Sequence, residues 1–369
     1  MEDPVLEQIA ALRDKDWAIR EVAATQLGHL KDPRAVSALI QLLRDQDRSV
    51  RDAAIEALTV IGEASVESLG TCLSDPDLSV QEAASKVLAS IADERVLTPL
   101  LLALRSPDWV VRMHGASAVG RIPQTRSIAH LIPLLQDTVK AVREAASAAL
   151  AAIGETAIPS LVEALANRDW LIRLHAVESL GRTKSPKAIQ PLLFALLNDD
   201  DSAVREDAVR ALGTIGHPQA VESLMTALNE PALRTLAVEA LGRIGDRRAV
   251  PKLMEIASGA RPLEVARSVA GCADRWNEED MVQAAAVRAL GAIGDESALP
   301  VLVAALDSTF TRTEAAGALA QFGATTIPLL LPLLTRHQDD NVRYHVRETL
   351  TQVGWRPGRA AKMPTVPSQ

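Results

Sequence analysis

The sequence predicts an all-α protein, an α-α superhelix of about eleven stacked two-helix units. Three observations predict it. One phrase recurs along the chain: an acidic residue, three residues, usually Arg, then an Ala-rich apolar run closing on Leu-x-x-Ile-Gly, as from Asp47 to Gly62 and from Asp201 to Gly216. Taking the Arg or its replacement as a register mark gives Arg20, Arg51, Gln81, Arg112, Arg143, Arg173, Arg205, Arg234, Gln283, Arg312 and Arg343, at steps of 29 to 32 residues with one step of 49. Finally, aromatics are only 2% of a chain that is 48% hydrophobic, so the apolar load is Ala, Leu, Val and Ile in short amphipathic stretches that suit thin helix pairs. Such units bury their apolar faces only against neighbours.

Each unit reads as two helices. In the second unit, Pro33 to about Arg44 places Val36, Leu39, Ile40 and Leu43 at spacings of three and four, and Val50, Ala54, Leu58 and Ile61 repeat that spacing. Asp47 precedes the second helix as its N-cap, where a carboxylate accepts orphan amides and favours the positive end of the dipole. Gly62 supplies the stop. Pro159, Pro191, Pro251, Pro300 and Pro328 fall early in first helices, where a missing amide costs little. The step of 49 places an insertion at about 258–278 in the ninth unit, with Leu263 to Ala270 as a possible short helix followed by Cys272 and Trp276. The array is expected to be one elongated domain over 1–354, and 355–369 loses the periodicity and reads as a flexible tail.

Composition narrows the function classes. With 39 basic and 47 acidic residues the formal charge is -8, which favours neither nucleic acid nor an anionic membrane. No uninterrupted apolar run approaches the roughly 20 residues of a bilayer span, and the first residues lack a basic region followed by an apolar one, so a cytoplasmic location is expected. Cys72 and Cys272 lie about six units apart and are not expected to form a disulfide.

The pattern D-x-x-[VI]-R-x-x-A-x-x-A-L-x-x-[IL]-G, running from about residue 4 to 354, resembles HEAT repeats, specifically the short type named after phycobilisome lyases. The resemblance implies a HEAT-like solenoid and a ladder of hydrogen bonds linking successive repeats, carried by Asp16 and Arg20, Asp47 and Arg51, Asp108 and Arg112, Asp169 and Arg173, Asp201 and Arg205, and Asp339 and Arg343. Gln81 and Gln283 can still bond there, without charge assistance.

Counting along the second helix from the register Arg, positions −1, +3, +7 and +10 are expected to face the core and +1, +2, +5 and +9 to point away. By the resemblance, the latter line a concave groove. Early units present Glu21, Asp52, Glu56 and Glu82 there. Two units differ in kind: Trp109, Met113, His114 and Arg121, then Trp170, Leu174, His175 and Arg182, stand at identical positions. Apolar, aromatic and Arg side chains together have the composition of a binding hot spot. Trp17 occupies the same helix start without the Met/His set, the pattern of a Trp that only packs on the adjoining helix. Tyr344 and His345 repeat part of the theme in the eleventh unit.

No metal site is expected, because His114 and His175 are two units, or about 20 Å, apart, whereas shared ligands each lie about 2 Å from the ion. The His-Glu pairs of the HEAT-like deoxyhypusine hydroxylases are missing. No phosphate loop or catalytic residue is identified, and the acidic early units oppose a likeness to HEAT-like DNA glycosylases. The leading expectation is a monomeric, non-enzymatic scaffold or chaperone-like protein, without cofactor, that holds a protein partner in its groove. The alternative drawn from the resemblance is a bilin lyase or lyase-chaperone subunit of the E/F type acting on phycobiliproteins. In it Arg121 and Arg182 pair with the propionates of a bound bilin, and Trp109 and Met113 flank its rings.

Overall fold

A computed structural model of the chain describes residues 3–91, 94–122, 124–259 and 278–356. These residues form helices and turns with no strand among them. They divide into two compact units at Ala188/Ile189. The first unit holds six two-helix repeats, whose second helices are Trp17–Leu30, Arg48–Ile61, Leu78–Ser90, Trp109–Arg121, Lys140–Ile153 and Trp170–Arg182. The second holds five, with Ser202–Ile215, Pro231–Ile244, Glu278–Ile293, Arg312–Gln321 and Asp340–Gln352 in the corresponding place. Residues 260–277, and with them Cys272 and Trp276, lie outside the described residues, as does the chain beyond Arg356.

First helices are shorter than the periodicity suggests. Residues 33–44 form a 3-10 turn Pro33–Ala35, the α-helix Val36–Gln41 and a second 3-10 turn Leu42–Arg44. Val36, Leu39 and Leu43 are buried there, while Ile40 is half-exposed. In the second helix Val50, Ala54 and Leu58 are fully buried, as the spacing predicts, but so is Ala57, and Ala53 is largely so. In this repeat positions +2 and +6 therefore belong to the interior. The reason is that, within each unit, a second helix packs against its own first helix and also lies beside the second helices of adjacent repeats, so a further edge is covered.

Within each unit that side-by-side contact is close where the residue at +8 is Gly28, Gly120, Gly213, Gly242 or Gly291. A Cβ on Gly120 would lie 2.9 Å from the Ala149 Cα of the next second helix, and one on Gly213 the same distance from the Ala240 Cα. Real Cβ atoms do not tolerate such distances, so glycine permits backbones to approach where any side chain would separate them. At Lys140–Ala164 a stretch apolar enough to cross a bilayer by composition occurs. It is two helices, Lys140–Ile153 and Ile158–Ala164, joined by a 3-10 turn and packed within the repeat stack.

Two glycines in helices test this packing with opposite signs. Gly120→Ala is expected to lower stability by about 1–3 kcal/mol through overpacking. Gly317→Ala, at an exposed helical position where an added Cβ meets nothing within 4 Å, is expected to raise it by about 0.5–1 kcal/mol. Equal effects in denaturant titrations would show that the close approach is not what selects glycine.

Candidate functional site

The second helices begin alike. Asp16, Asp47, Asp108, Asp169, Asp201 and Asp339 are N-caps, each accepting from the amide two residues on, at 2.8–3.0 Å. In these repeats the register Arg makes no hydrogen bond to the cap of its own repeat, and the bonds that link successive repeats use mostly carboxylates other than the expected caps. The Arg Nη1 donates instead to two carbonyls of the preceding loop, as Arg20 does to Asp14 and Lys15, Arg51 to Asp45 and Gln46, and Arg112 to Ser106 and Pro107, at 2.7–3.2 Å. Arg173 and Arg205 do the same in their own repeats. Gln81 reproduces one of these bonds, to the Asp75 carbonyl at 2.6 Å.

The link between repeats comes from the other edge of the guanidinium. Arg20 grips Asp45 with two bonds of 2.8 Å, and Arg112 grips Asp137 at 2.7 and 3.0 Å. These carboxylates stand two residues before the cap. Among the caps themselves Asp339 alone takes such a bond among the described residues, from Arg312 at 2.9 Å. The Arg20 guanidinium holds the Asp45 carboxyl below the usual range. Burial pushes Asp137 upward, but the hydrogen bonds from Arg112 and the Val139 amide, with the charges of Arg112 and Arg143, outweigh it and leave the carboxyl lowered.

From this frame the two histidines acquire partners. In the repeat after Arg143, Asn167 stands at the position that Asp45 and Asp137 hold in other repeats, and the Arg143 Nε donates instead to His175 Nε2 at 3.0 Å. An accepting Nε2 places the ring proton on Nδ1, which donates to Glu178 Oε2 at 3.0 Å. His175 is 7% exposed, and its hydrogen bond is the main influence lowering the Glu178 carboxyl. His114, half-buried, reaches back to Ser85 Oγ at 3.1 Å, and burial lowers its pKa. The expectation that His114 and His175 point outward is thus corrected: position +2 faces the preceding second helix. Ser85, Arg143 and Glu178 complete these contacts; Glu178 stands at i+3 from His175 on the same helix, whereas Ser85 and Arg143 come from the preceding repeat and no spacing within one repeat reveals them.

The rest of the set is presented to solvent. Trp109 and Trp170 are 43% and 45% exposed, Met113 and Leu174 are half-exposed, and Arg121 and Arg182 are exposed. The row −3, +1, +5, +9 is a single i+4 ridge. In the fourth repeat it reads Trp109, Met113, Ser117, Arg121; in the fifth Lys140, Glu144, Ala148, Ala152; in the sixth Trp170, Leu174, Glu178, Arg182. Arg121 donates to the Ala89 carbonyl at 2.8 Å, and Arg182 lies 3.4 Å from Glu178. The first repeat also leaves Trp17 exposed, at 49%. In the second unit Tyr344 is exposed and meets His345 edge to face, with ring centroids 5.4 Å apart. Among the described residues no group of three His, Cys, Asp or Glu could hold a metal ion. The surface offers apolar area and cationic donors, which is recognition chemistry.

Comparison with known proteins agrees with the repeat pattern. The profile of the HEAT repeats family matches residues 4–72, 66–151, 128–207, 191–273 and 272–351. Phycocyanobilin lyase subunit alpha of Nostoc sp. (strain PCC 7120 / SAG 25.82 / UTEX 2576) is 31% identical over 197 residues, covering 47% of this chain and 71% of that protein. Its counterpart from Picosynechococcus sp. (strain ATCC 27264 / PCC 7002 / PR-6) is 31% identical over 201 residues, covering 47% and 75%. Among solved structures, Kap95p bound to RanGDP superposes with a TM-score of 0.63 at 15% identity, covering 95% of this chain and 57% of the other, a likeness of fold. This chain therefore spans a little over half the length of that karyopherin.

Replacing His175 by Ala is expected to cost about 1–3 kcal/mol, because it leaves Arg143 and Glu178 without their buried partner; an unchanged melting midpoint would show that the bridge does not form. Asp137→Ala is expected to cost about 2–4 kcal/mol, since both members of the pair are largely buried. A carboxyl lowered in the folded state stabilises fully above its unfolded pKa of about 3.9 and stops doing so as pH falls through the lower folded value. The Asp137→Asn protein should accordingly lose part of the stability difference between pH 6 and pH 2 that the unaltered protein shows in denaturant titrations.

Proposed function

We propose, for a chain that belongs to the HEAT-repeat family and within it to the phycobilisome-lyase-like type, that it binds a protein partner on the second-helix face of its fourth to sixth repeats. The observation that carries this reading is the duplicated exposure of Trp109 with Met113 and Trp170 with Leu174, beside Arg121 and Arg182. Large apolar side chains do not stay half in water without cost, and aromatic and Arg residues clustered in this way are those that dominate interfaces. The role is that of a scaffold or chaperone, acting as a monomer, and it needs no cofactor.

A second reading follows from the relatives. Phycocyanobilin lyase subunit alpha shares 31% of its aligned residues with this chain, and this supports a lyase or lyase-chaperone subunit whose partner is a phycobiliprotein. On that reading the same face also holds a bilin, with Arg121 and Arg182 as propionate partners.

The quadruple variant Trp109→Ala, Met113→Ala, Trp170→Ala and Leu174→Ala tests the face while sparing His175. Partner capture in pull-downs should fall at least tenfold, and the melting midpoint should stay within a few degrees because these side chains are not core. Undiminished capture by the variant would reject the face. Adding free bilin separates the two readings: a stoichiometric, red-shifted complex that the variant loses supports the lyase subunit, and an unaltered bilin spectrum supports the scaffold.

A further inference from the structure

We infer that the element recognised on this face is a partner α-helix with an apolar stripe and acidic residues at one end, lying over the fifth repeat. The inference rests on the protein-binding reading above and names the kind of partner it requires. Its starting point is the contrast between three neighbouring ridges. The flanking ridges carry Met113 and Leu174, whereas the middle ridge shrinks to Ala148 and Ala152, both exposed. The three helices are held side by side by the Gly120–Ala149 approach and by the buried Ser179–Ser147 bond of 3.0 Å, so the small residues form a depression with a continuous floor. The exposed Lys140–Glu144 pair, 3.4 Å apart, closes one end. The other end opens between Arg121 and Arg182.

Size and polarity select the occupant. Adjacent helix axes lie about 10 Å apart, so the flanking axes are separated by about 20 Å; their side chains leave a width close to the 10–12 Å of one helix. From Glu144 to Ala152 the floor runs about 12 Å, two to three turns. An extended strand would leave gaps beside it and would set backbone amides and carbonyls against alanine, methionine and leucine methyl groups, which offer no hydrogen bonds. A helix satisfies its own backbone and presents only side chains.

Charge fixes the direction. Arg121 has no acidic partner among the described residues, where its one bond goes to the Ala89 carbonyl. Glu178, the acidic neighbour of Arg182, already holds His175 with its other oxygen. Lys140 and Glu144 cancel one another. The open end is therefore cationic, and carboxylates on the partner helix would meet two guanidinium groups there.

The test is a displayed library of helix-forming 15-residue peptides selected against the full chain. Selected sequences should carry apolar residues at spacings of three and four with Asp or Glu clustered at one end. Affinity should fall at least tenfold for the Ala148→Gln, Ala152→Gln protein, in which uncharged side chains fill the depression at exposed positions, with the melting midpoint unchanged. The Arg121→Glu, Arg182→Glu protein should lose the acidic peptides and bind versions carrying Lys in place of the acids. Selection of extended or basic peptides, selection of none, or indifference to the alanine substitutions would overturn the inference. Loss of natural partners from the quadruple variant alongside any of those results would leave the protein-binding face standing and remove only the helical occupant. Undiminished natural capture alongside acidic helical peptides would do the reverse.

Discussion

Lateral contact between the second helices of successive repeats is the constraint on which the rest of each unit depends. A helix pair of this length cannot bury its own apolar face, and its stability is borrowed from neighbours. The chain answers with small residues at +6 and +8. Gly120 against Ala149 and Gly213 against Ala240 bring backbones to a distance that forbids a Cβ, and Ser179 with Ser147 keeps the next approach close by a buried hydrogen bond. Once the helices are this near, a +2 side chain such as His175 is largely closed off from solvent. His175 is then obliged to find polar partners, and it finds them in Arg143 and Glu178.

The recurring Arg acts first within its own repeat. The loop between the two helices leaves carbonyls that no helix satisfies, and a guanidinium offers several donors in a fixed fork. One nitrogen saturates two of these carbonyls, and Gln81, with a single amide, satisfies one. The linkage to the next repeat is a second use of the same side chain, made where a carboxylate such as Asp45 or Asp137 is in reach. This division explains why the Arg recurs almost without exception while its acidic partner comes and goes. In the fifth repeat that partner is replaced by a histidine, and a site that looked like surface recognition chemistry becomes an interior bridge.

What distinguishes the fourth to sixth repeats is thus less the presence of unusual residues than the level at which each lies. Trp109, Met113, Trp170 and Leu174 stay in contact with water while carrying large apolar area. His175 beside them is buried, and His114 is half-buried against Ser85. Exposed apolar side chains on both sides of an alanine floor, with cationic groups at one end, make a surface shaped for recognition, and it faces away from the contacts that hold the repeats together.

The sequence by itself determined the helix count per repeat, the register, the caps and most of the core. Asp47 before an apolar run at spacings of three and four could be read as an N-cap because capping is local, decided within a few residues of chain. The family likeness was legible for the same reason, since its motif is one repeat long. The outward place of Met113 was also legible, because +1 lies opposite the core positions on the wheel, whereas the 43% exposure of Trp109 at −3 came from the structure. Tertiary structure alone decided the fate of +2 and +6. A helical wheel treats a helix as having one buried side, but packing beside the second helix of the preceding repeat, about 30 residues earlier, covers another edge, and nothing within one repeat records how close that neighbour comes. His175 therefore reads as a surface residue in the sequence and lies inside the protein, and the carboxylate that each Arg grips is set by which loop the stacking brings within reach.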